Sequence, residues 1–404
     1  AELAGREVTA TEPRAPARRD SLLLLAALLL AAVALRPQLV GAGPLIPDIQ
    51  DDLGTSHSVA GLVGTIPVLC MGLFAPLAGV VAHRWSLRTA MAGCLLAIAI
   101  AGVGRAVSPG IAVLLTLTLP IGIGMAIAGT LLPVAVKSSF AHRPAFASGI
   151  GVTGINLGAA ISSALAIPIA SAWEGWRGAL AVFSLATLAI CAGWLALSRG
   201  AWEERSANRP PRLPVRRPVV WGIVLAFALP SVVYYGLVAW ISDVYQERGW
   251  SDETSGAVLA VMGVASVPAA LIVPWLADKM GSRRGWMWFA AGCMGAATFG
   301  FAAIPGGGFA WAVLTGIGLG TVFPISLTMC LDVARGPADA GAAAALMFLA
   351  GYPIAALGPL GVGAVRDLSG SFDASLWGLF GMTVLMALVL APLTTARLRP
   401  PEEP

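Results

Sequence analysis

The chain has 404 residues, of which 57% are hydrophobic and only 11% charged. Soluble domains carry about a quarter charged residues, so a soluble globular protein is excluded and an integral membrane protein is expected. A formal net charge of +4 is no argument for nucleic acid, because the basic residues gather between apolar runs, where they set topology.

Residues 1–20 are polar and read as a disordered cytoplasmic tail, with no A-x-A cleavage site after a short apolar region that would mark a signal peptide. Apolar runs then fall at 21–47, 57–81, 88–107, 110–136, 145–171 and 176–197. A charged, proline-bearing linker occupies 198–217, and six more runs follow at 218–245, 254–276, 286–304, 308–333, 341–365 and 374–396. At 1.5 Å per residue these are helices able to cross a hydrocarbon layer of about 30 Å. The expected fold is therefore all-α, with twelve transmembrane helices in two six-helix bundles, 21–197 and 218–396, and a short tail at 397–404. An N-terminus placed inside assigns 20 of the 25 Lys and Arg to inner segments, and only Arg105, Arg177, Arg248 and Arg366 to outer loops. That asymmetry predicts both termini to be cytoplasmic.

Arg36 is the basic residue left over. It lies in SLLLLAALLLAAVALRPQLVGAGPLIP (21–47), about 22 Å into the first helix. A cation at that depth costs at least ~2.5–3.5 kcal/mol and invites an anion. The acids Asp48, Asp51, Asp52, Asp243, Asp278, Asp332 and Asp367 stand at span ends or in loops, so an internal salt bridge is hard to form. The alternative is a structural arginine tied to helix carbonyls. Pro37 would free backbone groups beside it. A cationic substrate would lack a counter-charge at mid-membrane.

The two halves repeat. GVVAHRWSLR (79–88) matches PWLADKMGSRR (274–284), pairing His83 with Asp278, Arg84 with Lys279 and Arg88 with Arg283. GTLLP (129–133) matches GTVFP (320–324), placing Pro133 opposite Pro324. Duplication of this kind is expected of carriers whose substrate site lies between two halves. The 277–284 segment resembles the signature of the major facilitator superfamily, with an Asp, a Gly and a basic cluster between the eighth and ninth spans. His83 and Ser86 stand where that signature in the first half usually has Asp and Gly. The string LRPQLVGAGPLIPDIQDDLG, followed by GLVGTIPVLCMGLFAPLAG, looks like the cyanate/nitroimidazole transporter branch of the superfamily. The resemblance implies alternating access, gating roles for His83, Arg84, Arg88, Asp278, Lys279 and Arg283, and a cyanate-like or nitroimidazole-like substrate.

Other residues at mid-membrane depth join Arg36 as candidate substrate ligands. Tyr234 and Tyr235 in the seventh span can donate to an anion or form an aromatic wall, although adjacent helix positions point about 100° apart, so at least one is expected to face elsewhere. Asn156 and Tyr352 occupy near-equivalent places in the fifth and eleventh spans. Asn156 reads equally as a helix–helix hydrogen bonder. Thr130 and Thr321 either reach the cavity or bond their own backbone, while Pro133 and Pro324 let their helices bend during rocking. Gln38, two residues from Arg36, points away from it. Trp240 reads as an interfacial anchor. GIGVTG (149–154) matches a dinucleotide fingerprint literally, but no strand precedes it, so with Gly158 it reads as a close-packing face. His57, His83 and His142 fall in loops without metal spacing, and the five cysteines lie in apolar runs. No metal, cofactor or catalytic constellation is expected.

These residues predict a carrier for a small anionic or nitro-bearing solute, working as a monomer in the inner membrane. A multidrug exporter of the same fold is the nearest alternative, and a transporter-like receptor the next. Neither an enzyme nor a nucleic-acid binder has support.

Overall fold

A computed structural model describes residues 18–139, 144–201, 213–335 and 337–394, all helix and connection with no strand. The expected tails and the middle of the linker lie outside the described residues, as does the Asp278 side chain. The first half comprises α1 (Arg18–Ala34), α2 (Pro37–Val40), α3 (Ile46–Leu53), α4 (His57–Ala60), α5 (Leu62–Leu73), α6 (Leu77–Arg84), α7 (Leu87–Ala106), α8 (Ile111–Ser139), α9 (Pro144–Ala172) and α10 (Gly175–Leu197). The second comprises α11 (Pro218–Glu247), α12 (Asp252–Met280), α13 (Arg283–Ala303), α14 (Gly308–Asp332), α15 (Pro337–Ala355), α16 (Leu357–Ser369) and α17 (Asp373–Leu390). Among the described residues eleven helical segments can cross a membrane, and a bent pair counted as one span makes twelve. Short connections start new helices with serine caps: the Ser56, Ser86, Ser251 and Ser282 side chains each accept a backbone N–H three residues on, satisfying a donor that hydrocarbon would leave unpaired.

Three spans are not the single rods that hydropathy suggests. The first breaks at Arg36, which has φ −110° and ψ −28°. Pro37 has no N–H, and its ring would clash with the carbonyl four residues back. The chain then resumes as α2, a 3₁₀ turn and α3, reaching Leu53 instead of ending at 47. The second span bends by 65° between Leu73 and Leu77, around Pro76. The eleventh is split at Ala356, three residues after Pro353.

Arg105, expected in an outer loop, is fully buried in the last turn of α7. One guanidinium nitrogen donates to the Gln38 carbonyl at 3.0 Å. It thus serves a carbonyl of the broken first span that has no helical partner there. Gln38 does point away from Arg36, sending its amide to Ser184 Oγ at 2.8 Å. Gly158 of α9 fits against the same break: a Cβ there would lie 2.2 Å from the Val33 carbonyl oxygen. Gly154 packs on the same helix, its Cβ position 2.7 Å from Ala32 Cβ, so Gly154 and Gly158 form a packing face as their spacing suggests.

The halves meet along α9 with α12 and along α5 with α15. They are sealed at the face that carries the connections 54–56 and 370–372. There Gly43 comes so close to the Val238 carbonyl that a Cβ would sit 2.0 Å from it. Trp240 is 1% exposed, not an interfacial anchor, and its Nε1–H donates to the Pro359 carbonyl at 2.8 Å. His57 and Ser58 of the first half converge on Asp367 of the second. The Asp367 carboxylate accepts the His57 and Ser58 backbone N–H groups at 3.1 and 2.7 Å, and His57 Nδ1 lies 3.0 Å from Asp367 Oδ1. Nε2 of the same imidazole is 3.7 Å from the nearly buried Asp243.

Candidate functional site

On the opposite side of this seal the halves part around a cavity of about 810 Å³, mouth included. Arg36, Val152, Ile155, Asn156 and Ala159 form the first-half wall. Phe227, Ser231, Tyr234, Tyr235, Met262, Phe323 and Tyr352 dominate the second-half wall. From Tyr234 the wall runs seven residues back along α11 to Phe227, about 10 Å away from the sealed face.

The break in the first span is what delivers the charge. A guanidinium on a continuous helix would lie against its neighbours, whereas the N-cap position of α2 sets Arg36 at the seam between halves. Nη1 donates to the Tyr235 hydroxyl at 3.2 Å. Among the described residues Arg36 enters no ion pair, and Tyr235 takes one of the five donors a guanidinium carries. A planar fork of this kind matches carboxylate, nitro or other delocalised acceptors.

Both adjacent tyrosines line the cavity, against the expectation that one must turn away. Their rings touch edge to face with centroids 4.8 Å apart. Large side chains bridge the ~100° between neighbouring positions by leaning toward one seam. Tyr352 follows, its ring 6.5 Å from that of Tyr235. Asn156 lines the cavity from α9. The offset of 196 positions that relates Asn156 to Tyr352 thus places both at the cavity, one on each wall.

Two of the expected ligands are elsewhere. Thr130 and Thr321 donate to carbonyls of their own helices, Ala126 at 2.8 Å and Ile317 at 2.9 Å, and neither lines the cavity. Gly320, Val322 and Pro324 of the same segment do, so α14 turns its threonine inward to the bundle. Pro133 is exposed on the opposite repeat.

The expected gating residues lie away from the sealed face. His83 and Arg84 are exposed at the end of α6, and Lys279 sits over the Trp275 ring at 3.8 Å. Arg88 donates to the Leu195 carbonyl at 2.7 Å and Ser198 Oγ at 3.2 Å within the first half. Arg283 Nε donates to Asp332 at 3.3 Å within the second. The contact equivalent to that of Arg88 belongs to Arg284, which donates to the Ala391 carbonyl at 3.1 Å. Donor and acceptor are each displaced by 196 positions, so the register pairs Arg88 with Arg284 rather than Arg283. The structural pairing also differs at the sealed face: by sequence His57 is an ordinary loop residue, and its carboxylate partners come from helices nearly two hundred residues and more away.

A bundle of eleven to twelve spans, sealed on one side and parted around a charged cavity between its halves on the other, is the architecture expected of a membrane carrier. A family model described as Major Facilitator Superfamily matches residues 22–359, and the chain belongs to that family. It is 32% identical over 384 residues to the cyanate transport protein CynX of Escherichia coli K12, covering 94% of this chain and 98% of that one. Identity to the 2-nitroimidazole transporter of the same organism is 28% over 376 residues, covering 92% and 95%. A solved structure of a bacterial homologue of the human lysosomal transporter Spinster, inward-facing and unoccupied, superimposes with a TM-score of 0.73 at 15% identity, covering 95% of this chain and 97% of that one. The chain is a multi-pass membrane protein of a transporter family.

Proposed function

We propose that this protein carries a small planar anionic or nitro-bearing solute, of the cyanate or nitroimidazole kind, across the inner membrane. It does so as a carrier rather than an enzyme, by rocking of its two halves about the central cavity. One observation carries the reading: Arg36 stands at a helix break on the seam between halves, facing tyrosine hydroxyls and, among the described residues, paired with no carboxylate. In this reading Arg36 takes the charge, while Tyr234, Tyr235, Tyr352 and Asn156 supply hydrogen-bonding groups around it. The positive-inside distribution supports cytoplasmic termini, and with that orientation the cavity faces inward. A single chain forms the whole cavity, which supports a monomeric working unit. The sealed face would then be the periplasmic gate, with His57 and Asp367 joining the halves when it closes.

The test is uptake of labelled cyanate and 2-nitroimidazole into liposomes holding the purified protein. Arg36→Ala is expected to lower uptake about a hundredfold, the scale for removing one partner of a desolvated charge contact. Arg36→Lys retains charge but loses the fork and should recover part of that loss. Undiminished transport by a folded Arg36→Ala variant would overturn the reading.

A further inference from the structure

The cavity has two unlike poles. At one lie the Arg36 guanidinium and the tyrosine hydroxyls. At the other stands a set of four rings contributed by three helices. Phe323, Phe348 and Tyr352 form a stacked run, each step inclined by 19°, with centroids 6.1 and 5.5 Å apart. Phe227 meets Phe348 and Tyr352 edge-on, at 74° and 87°, with centroids 5.9 and 5.3 Å away. Phe227, Phe323 and Tyr352 line the cavity, and Phe348 stacks with both Phe323 and Tyr352. Tyr235 joins the poles: its hydroxyl accepts from Arg36, and its ring neighbours that of Tyr352.

A three-atom linear anion can engage only the first pole. It would leave the aromatic wall of Phe227, Phe323 and Tyr352 without a ligand contact. A flat molecule bearing an acceptor group at one edge engages both poles, because offset or edge-on aromatic contacts add to the charge contact. Resting on the proposed carrier function, we infer that the substrate body is an aromatic or heteroaromatic ring. Phe227, Phe323 and Tyr352 set that specificity, and Phe348 is a positioning residue. The acidic or nitro group of the ring lies on Arg36.

The inference is testable with paired probes that share a head group and differ by the ring: benzoate against acetate, and 2-nitroimidazole against nitromethane. Binding is measured calorimetrically on the purified full chain in detergent, with folding monitored by size exclusion. The wild-type protein is expected to favour the ring-bearing member of each pair at least about tenfold. Phe227→Leu and Phe323→Leu should each lower that ratio about two- to tenfold, and Phe323→Trp, which keeps a ring, should hold it. A ratio near one, with affinity still lost in Arg36→Ala, overturns the ring inference and leaves the carrier reading intact. A high ratio that neither leucine variant changes overturns the assignment of these residues. Absence of Arg36-dependent binding for all four probes overturns the carrier reading, and this inference with it.

Discussion

The two six-span halves descend from one pattern, yet they bring different chemistry to the cavity. The first contributes a broken helix, a guanidinium and an amide. Every aromatic residue on the cavity wall comes from the second. Where the halves repeat, the residues are scaffold: the Gly-Thr-x-x-Pro threonines bond their own helices, and Arg88 and Arg284 tie equivalent helix ends. Where they depart, at Arg36, Tyr234 and Tyr235, the side chains meet at the seam. A duplicated carrier can thus keep its rocking frame while one half specialises in charge and the other in shape.

The largest effect should come from the support of the first-half break. Gly158→Val would press a side chain into the Val33 carbonyl, an overpacking that costs roughly 1–3 kcal/mol or more. We expect the apparent melting temperature to drop by several degrees and much of the folded protein to be lost. Gly263→Ala, whose Cβ would meet Ala160 at 3.1 Å across the seam, should be milder. Equal effects of the two would erase the distinction between a break that must be packed and a seam that must slide.

Next is the bond that links the specialisations. Tyr235→Phe removes the acceptor of the Arg36 guanidinium but keeps the ring. A hydrogen bond to a charged group is worth about 1.5–3 kcal/mol, so a loss of about tenfold in probe affinity is expected, read by the same calorimetry. No change would mean that Arg36 acts independently of the second half. The smallest effect belongs to the repeated residues. Thr130→Val and Thr321→Val should leave uptake within about twofold, since their hydroxyls serve local carbonyls that helix geometry already satisfies. A large loss in either would return the threonines to the cavity and contradict the rule that repeated residues are scaffold.

Much of this is legible in the chain. Twelve spans follow from hydropathy, because hydrocarbon tolerates only helices with every backbone group paired. Arg36 stands out because a charge in an apolar run is costly, and Pro37 beside it marks the break. The bend at Pro76 is not legible, since a proline in an apolar run signals a kink without its angle. Arg105 reads as a loop residue because it stands at a helix end. Only the neighbouring span, with its unpaired Gln38 carbonyl, explains its burial. Trp240 has the sequence context of an interface anchor, and the approach of Pro359 from another span takes it inside.

By itself, the sequence determined the apolar spans, the duplicated frame and the presence of one cation at mid-membrane depth. Those properties depend on local burial energies and on periodicity, which a linear chain records. The tertiary structure alone decided that the cation faces three tyrosines, that Phe227, Phe323 and Tyr352 share a wall, and that His57 meets Asp367. Each of these depends on the rotation of one helix against another, set by small-residue contacts such as Gly158 on Val33 and Gly43 on Val238. Rotation of that kind is a property of packed surfaces, and no single span carries it.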